Sequence, residues 1–135
     1  LLAGGNTRQA LDLLRIALRT QRDFQPALNL YARVLAIHPQ ERFRDGREAL
    51  RTAEHLCLLS DYKNPGYLDT LAAAYAERGF FNDAVRTARK AIEQVEETQD
   101  PPAVAELRRR LELYQQERPY RASSVKALAS LSPSE

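Results

Sequence analysis

The chain has 135 residues, with 20 Lys and Arg against 18 Asp and Glu, a formal charge of +2, and no Met or Trp. That balance supplies no strong pull toward nucleic acid or a membrane surface. No apolar run reaches the ~20 residues of a membrane span, and the single Cys57 excludes an internal disulfide. The length suits one domain, or an excerpt from a longer array.

In chain order, Leu1, Leu2, Ala3, Gly4 and Gly5 read as a helix tail and its glycine turn. Asn6 or Thr7 then caps a helix whose apolar face is Ala10, Leu13, Leu14, Ala17 and Leu18. Gln25 and Pro26 open a second helix, with Leu28, Tyr31, Ala32 and Leu35 on one face. It should stop near Ile37, because Pro39 restricts His38. An inserted loop at 38–46 follows, and Asp45 caps the next helix, with Ala49, Leu50, Ala53, Leu56 and Cys57 inward.

Asn64, Pro65 and Gly66 signal another start. Leu68, Leu71, Ala72 and Tyr75 fall at i, i+3, i+4 and i+7. Gly79 ends that helix, and Asn82 or Asp83 caps its partner, which carries Ala84, Ala88, Ala91, Ile92 and Val95 inward. Small residues at these places let two helices approach closely. Pro101 and Pro102 begin a last helix running to about Glu117, with Val104, Leu107, Leu111 and Tyr114 inward and Arg108, Arg109, Arg110 and Glu112 mainly outward. Pro119 ends it. The Ser- and Ala-rich tail at 118–135 is weakly helical or disordered, with Val125, Leu128 and Leu131 as its apolar residues.

Residues 65–98 resemble a tetratricopeptide repeat, a helix pair of 34 residues. Leu68, Leu71, Ala72, Tyr75, Gly79, Ala84, Ala88, Ala91 and Glu96 stand at the family's signature positions, with Ala88 smaller than usual and Glu96 where Pro is frequent. Gly5, Ala10, Leu14 and Ala17 align with the second half of that unit. Leu35 to Ala49 is fourteen steps, against nine from Tyr75 to Ala84, so the earlier repeat carries five extra residues. The organisation expected is a solenoid at 1–117, with a half repeat at 1–22, repeats at 25–61 and 65–98, and a capping helix at 101–117. The run through 38–50, 64–79 and Pro119, Tyr120 and Arg121 resembles the carboxyl-terminal end of such arrays in bacterial proteins.

The resemblance implies an all-α, right-handed α-solenoid that serves as a protein–protein interaction scaffold, with a peptide or partner protein in its concave groove. The alternative is a regulatory or substrate-positioning appendage of a membrane or glycosyltransferase-type enzyme. The inward positions of the family fall on Pro26, Asn29, Arg33 and Ala36, then on Gly66, Asp69, Ala73 and Ala76, with Arg109 and Glu112 from the capping helix. The partner-binding set expected is therefore Asn29, Arg33, Asp69, Ala73, Ala76, Arg109 and Glu112. On that reading Arg33→Glu weakens partner binding and leaves the fold intact.

No phosphate loop, HExxH or nucleophile elbow occurs, so no enzyme, cofactor or metal is expected. His55 and Cys57 are two residues apart and lie on different helix faces. His38 and Phe43 lie in the inserted loop, with Phe43 expected to plug the gap that the longer turn creates. The open first half repeat could also pair with another copy. The compartment, cytoplasm or periplasm, is left open.

Overall fold

The computed structural model describes residues 6–130. The helix tail and glycine turn expected at 1–5, and Leu131, lie outside them. Among the described residues there are six α-helices and no strand: α1 (Thr7–Thr20), α2 (Gln25–Ile37), α3 (Gly46–Leu59), α4 (Pro65–Glu77), α5 (Phe81–Thr98) and α6 (Pro101–Gln115). Short 3-10 helices occupy Glu41–Phe43 and Lys126–Ser130.

Each helix from α1 to α5 packs on the next, and α2 also packs on α4. This neighbour-on-neighbour packing is consistent with a helical repeat. The small residues sit where helices meet. Ala32, Ala49, Ala53, Ala72, Ala84 and Ala91 are all fully buried.

The helix ends have local causes. Asp45 accepts from the Glu48 N–H, Asn64 from Tyr67 and Asp100 from Ala103, so three starts carry a side-chain cap. Two expected caps are corrected. Neither Asn6 nor the stretch before α5 supplies one, and α5 begins at Phe81 with Phe80 at the cap position. The cause is the preceding turn. Gly79 adopts φ +78°, Gly79 N–H donates to Ala76 O, and Phe80 N–H donates to Tyr75 O, both at 2.9 Å. That double closure ends α4 and leaves no room for a longer lead-in. The same reach, Arg118 N–H to Leu113 O with Glu117 at φ 57°, ends α6.

Two expectations about faces are also corrected. On α1, Thr7, Ala10, Leu11 and Leu14 are buried, but Leu13, Ile16 and Ala17 are exposed, because α2 is the helix that covers α1. On α6, Arg110 is buried although it was expected outward. It stands three residues after Leu107 and four before Tyr114, which places it on their face.

The 38–46 insertion is tied down at both ends. Asp45 N–H donates to Leu35 O at 2.8 Å, and Arg44 Nη1 donates to His38 O at 2.7 Å. Phe43 meets the His38 ring edge-on at 4.8 Å. His38 is fully buried. Its Nδ1 accepts from the Gln40 N–H at 2.9 Å, so Nε2 carries the proton and donates to Thr7 Oγ1 at 3.0 Å. Thr7 thus joins α1 to the insertion instead of capping its own helix.

Candidate partner-binding face

The face that α2 shares with α4 carries most of the expected partner-binding residues. Asn29 and Arg33 lie one turn apart on α2, and Asp69 and Thr70 lie opposite on α4. The Thr70 hydroxyl donates to Asn29 Oδ1 at 2.7 Å, and Arg33 Nη1 donates to Thr70 Oγ1 at 3.4 Å. Arg33 Nη2 lies 3.6 Å from Asp69 Oδ2, and Arg110 of α6 donates to the same oxygen. Arg33 and Asp69 are each 4% exposed and Arg110 is 2% exposed.

This is an interior charge cluster: two guanidiniums share one carboxylate, and Glu106 Oε1 approaches Arg110 Nη2 at 3.4 Å from a partly exposed position. Burial lowers the Arg33 pKa against the pull of Asp69. Burial is also the largest single influence on Arg110 and acts downward, but Asp69, Tyr120 and Tyr114 together outweigh it and the net shift is upward. Arginine stays charged at neutral pH in either case. The Tyr114 hydroxyl is buried nearby, its pKa raised by burial, and it has no hydrogen-bond partner among the described residues.

The open groove expected at Arg33, Asp69, Ala73 and Ala76 is therefore corrected, since all four are buried. The physical reason is twofold. Arg110 reaches across from α6 and neutralises Asp69. Beyond α6 the chain then turns back over the ends of α2 and α4. Tyr120 lies with its ring 4.5 Å from the Arg110 guanidinium carbon. Arg121 Nη1 pairs with Glu77 Oε1 at 2.7 Å, and Arg44 approaches the other Glu77 oxygen at 3.4 Å. The Ala122 N–H donates to Ile37 O at 2.9 Å, filling an orphan carbonyl at the end of α2. Ala122 and Leu128 are buried, and Lys126–Ser130 packs on α2. The part of the tail at 118–130 is thus packed on the helices. Its helical content is one short 3-10 turn.

Asn29 is half-buried, while Arg109 and Glu112 are exposed on the outer side of α6. Arg109 pairs with Glu106 of its own helix, the carboxylate whose other oxygen approaches Arg110, and so stands at the edge of the cluster. Sequence reasoning missed Arg110, Glu77, Tyr120, Arg121 and Ala122. The signal for Arg110 was its spacing from Leu107 and Tyr114, hidden inside a run of three arginines.

Elsewhere, Cys57 is a buried free thiol whose pKa burial pushes up to about 12, which makes it a poor nucleophile. His55 is half-buried and meets Asp23 at 2.8 Å. Among the described residues no three His, Cys, Asp or Glu side chains are placed to hold a metal ion, and no helix is long and apolar enough to cross a membrane. Comparison with known proteins found no matching family model, no matching curated protein and no matching solved structure.

Proposed function

We propose that the chain is a right-handed solenoid of the tetratricopeptide type, acting as a protein-binding module that takes a peptide segment on the face shared by α2 and α4 and edged by α6. The observation that carries this reading is the seating of residues 120–128 on that face. A stretch that is irregular up to the 3-10 turn at Lys126 is held there by one backbone hydrogen bond, one ion pair, one cation–π contact and two buried apolar side chains. These are the elements by which helical scaffolds hold peptides. The matching burial of Ala32 with Ala72 and of Ala49 with Ala84 supports the repeat register.

The test is selection of peptides from a random library on the immobilised chain, followed by mapping of their contacts by amide chemical shifts. Binders should perturb the ends of α2 and α4 and the Arg110 side of α6. An empty selection, or binders that map to the outer sides of α3 and α5, would remove the reading. Turnover of a small substrate by the purified chain would count against a non-catalytic module.

A further inference from the structure

We propose that residues 120–128 are a tethered ligand of the α2–α4 face, docked and separable, which a partner segment of the same chemistry replaces. This rests on the partner-binding reading above and names the ligand that the face takes: an aromatic residue, then a basic one, then a small one, with an apolar anchor about six residues further on.

Four observations carry it. First, the segment joins the helices only through Pro119 and the turn at Glu117, after α6 has closed its own last carbonyls. Its docking is not needed to finish that helix. Second, its contacts are of a kind made between two molecules. Tyr120 stacks on a guanidinium, Arg121 meets the Glu77 carboxylate, and Ala122 gives one N–H to Ile37 O. Third, the groups it meets are already supported without it. Glu77 retains Arg44, and Arg110 retains Asp69, so lifting the segment strands no buried charge. Fourth, the contacts are local. One backbone bond, a partly exposed ion pair, a cation–π contact and the buried Ala122 and Leu128, with Tyr120, Val125 and Ala127 partly buried beside them, lie within one short contiguous stretch, which is the form of a local unit that opens by itself.

The competing ligand is therefore the chain itself. A segment tethered through a short linker acts at an effective concentration on the order of 1 mM, enough to weaken a competing peptide of about 100 μM affinity about tenfold.

The experiment uses the full chain and a fluorescein-labelled peptide spanning residues 118–130. Ala122→Arg together with Leu128→Asp should lift the tethered segment while leaving the helical circular dichroism unchanged. The opened chain should bind the peptide at least about tenfold more tightly than the unaltered chain. A peptide carrying Tyr120→Ala and Leu128→Ala should lose that binding. Equal binding to opened and unaltered chains overturns the proposal. If library-selected peptides bind the opened chain and the 118–130 peptide does not, the segment is no ligand but the face still binds protein. If neither binds, both readings fall. Should the double variant lose helicity, Arg121→Glu replaces the ion pair to Glu77 by a repulsion between carboxylates, and no gain in peptide binding with that variant also overturns the proposal.

Discussion

The face shared by α2 and α4 and the outer face of α1 both present apolar and small residues at helical spacing, yet only the first is covered. Arg33, Ala36, Asp69, Ala73 and Ala76 are all buried, with Arg110 on Asp69 and Ala76 packed among Ala84, Ala88 and Tyr114. On α1, Leu13 is 44% exposed, Ile16 is 52% exposed, and Ala17 is open although its counterparts Leu56 and Ala91 are fully buried. The residue pattern marks which side of a helix prefers to be covered. What covers it is decided by other elements: α3 packs on α2 and α4, α5 packs on α4 and α6, and the segment after α6 lies over the ends of α2 and α4.

The contrast breaks most sharply at Asp69. Asp69→Ala leaves Arg33 and Arg110 buried without their shared carboxylate, and the expected loss is about 3–5 kcal/mol in urea unfolding. Arg33→Glu should be comparably severe, because it sets a second carboxylate beside Asp69 in the interior. This replaces the expectation that Arg33→Glu spares the fold. A small loss for either would mean that the face is open to water.

Ala84→Leu comes next. Ala84 is fully buried among Ala72, Ala76, Ala88 and Tyr114, where α4 and α5 meet. Overpacking there should destabilise by about 1–3 kcal/mol, read as a shift in the thermal midpoint.

His38 gives a smaller, pH-dependent effect. Burial lowers its pKa, and Arg44 and Arg42 act in the same direction. The Gln40 N–H aimed at Nδ1 also demands an unprotonated nitrogen. The unfolded chain therefore takes up the proton first, near pH 6.5. The stability from neutral His38 is whole above that pH and is lost as pH falls from there through the lowered folded value. In His38→Gln the change in urea midpoint between pH 7.5 and pH 5 should be smaller than in the unaltered chain. An identical change would exclude His38 as the titrating group.

The smallest effects belong to the uncovered surfaces. Ile16→Lys on α1 and Arg109→Ala on α6 should each stay within about 0.5 kcal/mol. A larger, concentration-dependent loss for Ile16→Lys would show that a second copy covers α1 in solution.

The helices and their faces could be read from the sequence because their causes are local: proline starts, Asp and Asn caps, Gly79, and apolar residues at three and four. The five-residue excess before Ala49 was legible for the same reason. Arg110 was not, because its neighbours Arg108 and Arg109 share its chemistry, and only the meeting of α6 with Asp69 separates it from them. The tail was not legible either. Leu128 stands in the weak Val125, Leu128, Leu131 spacing, but Ala122 carries no periodic signal, and the burial of both depends on α2, far earlier in the chain. Asn29, Arg33 and Asp69 come together between α2 and α4, whereas Arg109 and Glu112 lie exposed on α6, and covering by the chain's own 120–128 segment is a tertiary event that local pattern does not encode.

The most direct measurement is amide hydrogen exchange at Ala122 in the unaltered chain. A seated segment, bonded to Ile37 O yet able to lift alone, should give an Ala122 amide protected well above the unstructured rate but below the amides in the middle of α4. Exchange at the unstructured rate would show that the segment does not cover the face, and protection equal to that of α4 would show that it never leaves.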